Sequence, residues 1–414
     1  MEKTIFHVDV NSAFLSWTAV KELKLGSSLD LRTVPSAIGG DEKVRHGIIL
    51  AKSLLAKQYG IVTGEPIVSA LKKCPSLVIV PPDYNLYSKN SNMLFTFLSY
   101  YSDRLEIFSI DECFIDYTGM ERLWGNAENV ATSIKEKIKK QFGFTVNIGI
   151  GPNKLLAKMA GEPGHADEIN TIYAHEIKEK MWPLPVSKLF MVGKQTTAKL
   201  NHLGIFTIGQ LATYDNNILE REFKSNGTVI KSHANGVADS YVAPIYHHHI
   251  YKSISSETTV PYDVTTKEGA YKVLLALSQN VAQRLRRKKM YANGISISIK
   301  TNTFKRYSKQ ISIKNSTDNT DVIYSTAVEL FNIIWKKEPL LLLGLSADRL
   351  SENETSQISL DDNTNIKKQR AEQAMDKINN KFGRNTVTRC ALLNSQIELT
   401  KRISFSKDDS DTLV

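Results

Sequence analysis

The chain contains little cysteine and no long apolar run, and both features exclude classes of protein. Its 414 residues include three cysteines, Cys74, Cys113 and Cys390, whose spacing matches no metal motif. So few cysteines argue against a disulfide framework and for a reducing compartment, so we expect a cytoplasmic protein. No apolar run reaches the roughly 20 residues of a membrane-spanning helix. The N-terminus passes directly into a strand pattern, so we expect neither a membrane span nor a signal peptide.

Acidic residues are scarce relative to basic ones. The chain has 53 Lys and Arg against 43 Asp and Glu, a formal net charge of +10. Between Lys252 and Lys337 there are 15 Lys and Arg against 6 Asp and Glu, a balance of +9, so nearly all of the excess lies there. A charge run is most often a solvated face. A basic stretch that is also patterned for folding indicates a nucleic-acid-binding domain.

Two adjacent acids interrupt an apolar stretch at SIDECFIDYTG, residues 109–119. Burying two like charges side by side is costly, so we expect something positive beside Asp111 and Glu112. With 31–80 set aside as an insertion, the hydrophobic periodicity predicts the order β-α-β-β-α-β, which is the ferredoxin-like unit. The predicted elements are a strand at 4–10, helices at 11–23, 84–102 and 127–142, and strands at 105–110, 113–119 and 144–151.

That topology places a third acid near the pair. The third strand of a ferredoxin-like unit runs antiparallel beside the first, so the hairpin tip falls next to Asp9 at the end of strand one. Three converging carboxylates without basic partners in sequence predict a site for hard divalent cations, Mg²⁺ or Mn²⁺. The alternative is that Asp9 caps the following helix and the acid pair is only a turn. We favour the metal site, because the alternative needs two coincidences.

Residues 182–212 read as helix-hairpin-helix units. Turns at Gly193 and Gly204, with Lys194 beside the first, are suited to pointing backbone N–H groups at phosphates. The alternative is an ordinary helical hairpin, which the pattern alone leaves open.

From residue 252 the order β-α-β-β-α-β repeats without acids at the strand tips. In GISISIKT, residues 294–301, isoleucines alternate with Ser and Lys300, so a polar open face could lie along a phosphate backbone. The cluster Arg284, Arg286 and Arg287 adds positive charge. From about 351 the composition turns polar, and we expect one helix at 367–382 in an otherwise loosely ordered tail.

Several motifs in this order resemble the Y-family, or DinB/UmuC-type, translesion DNA polymerases of bacteria. The motifs are FHVDVNSAF, GGDEKVRHGIILAKSLLAKQYGI, SIDECFID and NIGIGPNKLLAKMA, followed by the helix-hairpin-helix region. The resemblance covers about residues 1–350 and implies an α+β multidomain fold. Its parts would be a ferredoxin-like palm (1–30 and 81–165), a fingers insertion (31–80), a helix-hairpin-helix thumb (166–240), a second ferredoxin-like domain, the little finger (245–350), and a tail (351–414).

The resemblance implies templated addition of deoxynucleotides to a primer 3′ end. Asp9, Asp111 and Glu112, with the backbone carbonyl of Val10, would hold two Mg²⁺ ions, with Mn²⁺ as a substitute. Primer-template DNA and deoxynucleoside triphosphates would be the substrates of what we expect to be a monomer. Phe14 stands where the family has an aromatic steric gate against the 2′-hydroxyl. From the residues alone Phe14 reads as core on the apolar face of its helix; with the resemblance we favour the gate.

The sequence departs from the family at the triphosphate. The family usually has Tyr and Arg where this chain has Leu54 and Lys57, and Lys57 offers a point charge rather than a bidentate fork. Lys154 and Lys158 are further basic residues expected beside the site. A phosphate-binding Lys common after this helix is missing, and His165 is the nearest match. We therefore expect weaker or differently arranged triphosphate binding.

Two other functions and one partner stay open at this point. A nucleotidyl cyclase shares a ferredoxin-like palm, and IGGDEK (38–43) superficially resembles a diguanylate cyclase signature, but a cyclase needs no basic DNA domain. A catalytically weak DNA-binding relative is compatible with Leu54, although the intact acids argue against it. Gln357 and Leu360 resemble the peptide by which bacterial polymerases bind the sliding clamp, except that Asp361 stands where an aromatic residue is expected.

Overall fold

The computed structural model describes residues 3–40, 47–162, 165–245, 251–352, 363–383 and 386–393, with only the backbone described for 363–369. They divide into two compact units, one of residues 3–40 and 48–245 and one of the described residues from 251 onward. None of the helices in these ranges has an apolar stretch that could cross a membrane.

The strands are short in the first unit and long in the second. They are β1 Ile5–Val10, β2 Ser36–Gly39, β3 Ile49–Lys52, β4 Val78–Val80, β5 Leu105–Ile107, β6 Glu112–Asp116, β7 Val146–Gly151, β8 Ile169–Thr171, β9 Ser253–Val264, β10 Ala292–Thr301, β11 Arg306–Thr317 and β12 Leu340–Asp348.

The helices include most of those that the sequence predicts. They are α1 Ala13–Lys24, α2 Leu54–Gln58, α3 Ile67–Lys73, α4 Tyr84–Leu98, α5 Glu121–Trp124, α6 Ala127–Phe142, α7 Lys154–Gly161, α8 Lys194–His202, α9 Ile208–Thr213, α10 Asn216–Phe223, α11 Ser225–Ala234, α12 Lys267–Arg287, α13 Thr320–Ile334 and α14 Asn363–Phe382.

The first sheet has β1 in its middle. Its strand order is β5-β6-β1-β7-β8, and β1 is antiparallel to both β6 and β7. The predicted position of the acid hairpin beside the first strand is therefore confirmed. Phe6, Val8 and Val10 belong to the core that α4 and α6 share with this sheet. Because neighbouring strand residues point to opposite faces, His7 and Asp9 lie on the other face.

Helix α7 packs on that other face at very short range. A Cβ at Gly149 in β7 would collide with the backbone carbonyl of Ala157 in α7. A Cβ at Gly151 would lie 2.7 Å from the backbone nitrogen of Ala157, which is again too close. Glycine at these two positions lets the helix backbone rest directly on the strand. Lys158 is thereby fixed beside the strands that carry the acids.

The insertion between α1 and α4 forms a small sheet of its own. Its order is β3-β2-β4, with β2 antiparallel to β3 and parallel to β4. A compact apolar cluster contains Ile49 from β3, Ala56 from α2 and Ile67 from α3. These contacts keep α2, with Leu54 and Lys57, on the sheet.

The stretch after β8 is helical. Leu200 of α8 and Ile208 of α9 are buried in one apolar cluster together with Ile230 of α11. The turn between α8 and α9 contains Gly204, whose φ of +78° favours glycine. The predicted helix-hairpin-helix is thus present.

The second unit has the predicted element order but not the strand order of the first sheet. Its order is β11-β10-β12-β9, all antiparallel, so the outermost strand β9 pairs with β12. In the first sheet the corresponding first strand lies in the middle. The unit is therefore ferredoxin-like in the succession of its elements, with a sheet arranged differently. The apolar face packs against α12 and α13, where Ile295, Ile297 and Ile299 are buried.

Helix α14 confirms the helix that the sequence predicts in the tail. The predicted helix 367–382 exists, four residues longer at its start. Glu372 is buried, and its carboxylate accepts from Arg286 of α12 at 2.9 Å and from the backbone N–H of Thr320 at 3.2 Å. Asp376 also binds Arg286, at 2.6 Å. Helix α14 is therefore part of the second unit.

Candidate functional site

Three carboxylates meet at one edge of the first sheet. Asp9 in β1 lies opposite Glu112 in β6 in the register of the strand pair. The backbone N–H of Val10 donates to the carbonyl of Asp111 at 3.0 Å, which places Asp111 just beyond the same strand pair. The antiparallel pairing of β1 with β6 is thus what brings the acids together.

The hairpin tip that carries Asp111 is a tight turn. The backbone N–H groups of Phe108 and Ser109 both donate to the carbonyl of Glu112 at 3.1 Å. The Ser109 hydroxyl donates to Oδ1 of Asp111 at 2.5 Å, which orients that carboxylate. Glu112 is the first residue of β6, whereas the sequence suggested both acids between two strands.

Lys158 already places a positive charge of the protein beside the acids. Its ammonium donates to Oε2 of Glu112 at 2.6 Å, and the same oxygen lies 2.8 Å from Nε2 of His7. Burial by itself would raise the pKa of Glu112. The hydrogen bonds from His7 and Lys158 outweigh burial and lower this pKa to about 2. Glu112 is therefore ionised and firmly held.

The pKa values of the other two acids, Asp9 and Asp111, are shifted in the opposite direction. Burial, with repulsion from Asp111 and Glu112, raises the pKa of Asp9 to about 7. Burial also raises the pKa of Asp111, with a contribution from Glu112 that the Ser109 hydrogen bond opposes. A raised pKa favours the neutral, protonated form of a carboxyl group. A cation bound beside these carboxylates would stabilise their ionised form. The set of hard oxygen donors fits a divalent cation of the Mg²⁺ type.

The three side chains converge without surrounding a common point. Within the described ranges, no three His, Cys, Asp or Glu side chains are placed so that they could hold an ion together. One oxygen of Glu112 faces His7 and Lys158. To bind an ion with both aspartates, Glu112 has to exchange these partners.

A second candidate surface is the open face of the sheet in the second unit. Ser296, Ser298 and Lys300 of β10 lie opposite Gln310, Ser308 and Arg306 of β11. The isoleucines between them face α12 and α13. The predicted polar open face is therefore present, and Lys300 also lies over the ring of Phe304, 4.3 Å from its centre.

The basic cluster at the end of α12 lies in the helix layer, on the other side of this sheet. Arg284 donates to the backbone carbonyl of Ser255 at 2.7 Å. The side chain of Arg286 is only 8% exposed and is bound by Glu372 and Asp376. Arg287 belongs to the same helix. Counting charges in the sequence missed these partners, so Arg286 is withdrawn from the set of predicted DNA contacts.

The helix-hairpin-helix residues are open to an approaching phosphate. Gly193 precedes α8 with an extended backbone, and Lys194 is the first helical residue. A Cβ at Gly193 or Gly204 would meet nothing within 4 Å, so a ligand can come close to the backbone there. The N–H groups at the start of a helix of this length are suited to phosphate.

Comparison with known proteins gives the family. The impB/mucB/samB family matches residues 8–162, the C-terminal domain of that family matches 251–360, and the IMS family HHH motif matches 175–205. The DNA polymerase IV of Clostridium acetobutylicum is 48% identical over 397 residues, which cover 96% of this chain and 100% of that protein. The chain belongs to the Y-family (impB/mucB/samB) DNA polymerases.

Other relatives agree with this assignment. The DNA polymerase IV of Acetivibrio thermocellus is 35% identical, over 95% of this chain and 98% of its own length. DNA polymerase IV 1 of Bacillus subtilis is 33% identical, over 98% of this chain and 97% of its own length. The solved Y-family DNA polymerase chimera Dbh-Dpo4(243-245)-Dbh superposes with a TM-score of 0.73 at 22% identity, covering 84% of this chain and 100% of that one. The family resemblance and the multidomain α+β fold are confirmed.

Phe14, which the sequence predicts to be a steric gate, is held in an aromatic stack. Its ring lies 4.3 Å from that of Tyr87 at an interplanar angle of 6°, and the ring of Tyr84 meets it edge-on at 6.5 Å. Phe14 packs against the core of the first sheet yet stays partly exposed. A ring fixed on one side and accessible on the other fits both core packing and a gate.

Leu54 and Lys57, which the sequence places at the predicted triphosphate site, lie in α2. Leu54 is 54% exposed and Lys57 is also exposed, so both can meet a ligand. The sequence analysis missed Lys52, whose pKa is lowered by burial and then by the nearby charge of Lys57. Two lysines that repel each other form a local excess of positive charge, which suits a triphosphate.

Two other residues predicted at the site, Lys154 and His165, have partners other than the three carboxylates. One residue beside the carboxylates, His7, was not predicted. Lys154 pairs with Glu106 at 3.1 Å rather than with any of the three acids. His165 is exposed, and its backbone carbonyl accepts from Asn147, the register partner of Asp9. His7 was missed, although its position two residues before Asp9 on one strand is a signal for a shared face.

Proposed function

We propose that the three acids perform the DNA synthesis that defines this family. The chain is a DNA-directed DNA polymerase of the translesion type, which extends a primer 3′ end along a template in DNA damage tolerance. The observation that supports placing the chemistry here is the register of Asp9 opposite Glu112, with Asp111 beside them. The cyclase alternative is not favoured, because the relatives that match nearly the whole chain are DNA polymerases.

Asp9, Asp111 and Glu112, with the Val10 carbonyl, are the proposed ligands of two Mg²⁺ ions, for which Mn²⁺ can substitute. When bound, such ions lower the pKa of the primer hydroxyl and offset the charge of the triphosphate and pyrophosphate. The acids themselves move no proton. They would fix the geometry of in-line attack. Burial, together with repulsion from Asp111 and Glu112, raises the pKa of Asp9, and the positive charge of the ions would offset both effects.

The incoming deoxynucleotide is proposed to lie between the carboxylates and the fingers. Phe14, fixed by Tyr87, would block a 2′-hydroxyl at the sugar. Lys57 and Lys52 would meet the triphosphate as point charges, because Leu54 offers no hydrogen bond. We expect these lysines to bind the triphosphate more weakly than a Tyr and Arg pair would.

Primer-template DNA is proposed to be held through its backbone. The open face of β10 and β11, with Lys300 and Arg306, and the N–H groups near Gly193 and Gly204 carry no base-specific pattern. In family terms, we propose that the palm, fingers and thumb have the boundaries predicted from the sequence and that the little finger is residues 245–350, whereas α14 of the second unit belongs to the tail. We further propose that the polymerase is monomeric and cytoplasmic. The clamp-binding peptide at Gln357–Leu360 lies outside the described residues and stays a prediction.

Primer extension tests the proposal directly. A labelled primer annealed to a longer template is incubated with the wild-type chain, four deoxynucleotides and Mg²⁺, and the products are resolved by length. Template-directed extension is expected, and EDTA should abolish it. DNA binding without extension in Mg²⁺ or Mn²⁺ would instead identify a non-catalytic relative.

A further inference from the structure

One of the proposed metal ligands is already occupied by a cation of the protein. Oε2 of Glu112 accepts from the Lys158 ammonium at 2.6 Å and from Nε2 of His7 at 2.8 Å. The side chains of Lys158 and Glu112 are 11% and 14% exposed, so solvent screens this ion pair little. The lysine therefore competes with any ion for that oxygen.

The ammonium of Lys158 sits between two aromatic rings. It lies 5.4 Å from the centre of the Phe108 ring and 5.5 Å from that of Phe190, and the two rings meet edge to face, 6.0 Å apart. Ring faces attract a cation, most strongly where water is excluded. The two rings stabilise the ammonium at this position without adding a negative charge.

An alternative partner for the ammonium is within reach. Glu162, four residues further on and immediately after the end of α7, has an oxygen 3.6 Å from Nζ, and its side chain is 46% exposed. The backbone of α7 cannot retreat from the sheet, because Gly149 and Gly151 lie directly against it. The side chain of Lys158, with four rotatable bonds, can turn from Glu112 toward Glu162.

We propose that Lys158 is a positioning residue that takes the place of metal charge at Glu112 and gives way when a divalent cation binds. The inference rests on the proposed function, because it takes Glu112 as a metal ligand. The ammonium keeps three neighbouring acids together before ions arrive. It then leaves Glu112 for Glu162, because a divalent cation and an ammonium repel each other at one carboxylate.

The test is Mn²⁺ binding by the full-length chain without DNA or nucleotide, followed by the electron paramagnetic resonance signal of free Mn²⁺. Lys158→Met removes the competing cation and keeps the length of the side chain. Its Mn²⁺ affinity should rise at least about fivefold, the lower end of typical coupling between two ligands. The metal-free variant should also have a lower melting temperature than metal-free wild type. Added Mn²⁺ should raise the melting temperature of the variant by more than that of wild type.

Two further variants serve as a control and as a test of the second partner of the ammonium. Lys154→Met removes another ion-paired lysine of the same helix, and its Mn²⁺ affinity should change less than twofold, as expected for a charge bound to Glu106. Glu162→Gln alters an exposed residue that the fold tolerates. It should weaken Mn²⁺ binding, because the displaced ammonium loses its second partner.

The outcomes separate this inference from the proposed function. Unchanged or weaker Mn²⁺ binding in Lys158→Met, with binding lost in Asp111→Ala, overturns the role of the lysine and leaves the metal site standing. An equal rise in Mn²⁺ affinity in Lys154→Met also overturns the role of Lys158. The rise would then follow from removing any positive charge near the site. If neither wild type nor any variant binds Mn²⁺, both the inference and the assignment of the three acids are wrong.

Discussion

Asp111 and Glu112 are neighbours in the chain and have opposite electrostatic surroundings. Two donors hold Glu112 ionised, with a pKa of about 2, whereas burial raises the pKa of Asp111. The difference arises because Glu112 begins strand β6 and faces α7, while Asp111 remains in the turn, where its carboxylate accepts from the Ser109 hydroxyl. The two acids should therefore respond differently to substitution.

Replacing Asp111 tests the metal assignment with little cost to the fold. Asp111→Ala should reduce the rate of primer extension more than about a hundredfold, because bound metal supplies several kcal/mol of transition-state stabilisation and about 1.4 kcal/mol is tenfold. DNA binding should stay within a factor of about two, since the proposed DNA contacts lie elsewhere. Asp103→Ala, which removes an exposed acid of the same sheet region, is the control. Near wild-type extension by Asp111→Ala would refute the assignment.

The role of Phe14 is decided by ribonucleotides. Phe14→Ala should admit ribonucleoside triphosphates in primer extension, because it removes the ring that would clash with the 2′-hydroxyl. Phe14→Tyr keeps the ring on Tyr87 and should keep the exclusion. If Phe14→Ala is less stable but still excludes ribonucleotides, the residue is core and the gate lies elsewhere.

The sequence predicted the acids better than it predicted their partners. Asp9, Asp111 and Glu112 were placed together because strand order in a ferredoxin-like unit follows from the succession of elements. Lys52 and the contact of His7 with Glu112 were missed, since they depend on side-chain packing. Arg286 was misassigned because composition counts a charge without its partner.

At the scale of single elements, α14 shows a similar limit. The helix was predicted, but its composition is polar and gave no sign of docking. It attaches through a buried arginine of α12, because Arg286 is bound by Glu372 and Asp376 of α14. Glu372 also pairs with Arg389, which follows α14 in the chain. Such a contact is specific and invisible in a hydrophobicity pattern.

Removing one partner of this network should loosen the second unit. Glu372→Gln leaves the Arg286 charge buried with one partner fewer, and breaking a buried pair typically costs roughly 3–5 kcal/mol. We expect faster hydrogen exchange of amides in α12 and α14 of the variant, measured by mass spectrometry. Amides of the first sheet should exchange as in wild type.

The control is Glu329→Gln on α13, which removes an exposed charge of the same unit. It should leave exchange nearly unchanged. Equal protection in Glu372→Gln and Glu329→Gln would mean that α14 is held by something other than this network.

The strand order of the second unit is the other element-scale result. The sequence predicted its six elements but could not distinguish β11-β10-β12-β9 from the order of the first sheet. Both arrangements bury the same alternating residues against the helices, so the hydrophobic pattern is satisfied by either.

On the scale of the whole molecule, the excess charge of the stretch 252–337 is divided between the two faces of one sheet. Lys300 and Arg306 share the open face, and the cluster at the end of α12 lies with the helices. Only the open face can follow a duplex over several phosphates. Most of the DNA affinity should therefore come from this face rather than from the cluster.

The salt dependence of DNA binding tests this division. Lys300→Gln and Arg306→Gln should each weaken binding equally on two unrelated primer-templates and reduce the log–log salt slope by about one. Lys272→Gln removes an exposed lysine of the helix layer and should leave the slope unchanged. A truncation ending near Tyr241 should lose most of the slope. An unchanged slope in the truncation would show that the first unit holds the DNA.

The central position of β1 has a consequence for synthesis of the protein. This strand is synthesised before its partner β7, so Val10 and Val146 meet only after 136 further residues. At about 5–20 residues per second, the nascent strand waits roughly 7–27 seconds for that neighbour. During this time Ile5, Phe6 and Val8, fully buried in the finished protein, are exposed to water. The strand that carries Asp9 therefore keeps its apolar side chains unpaired for longer than a strand whose partners follow it closely in the chain.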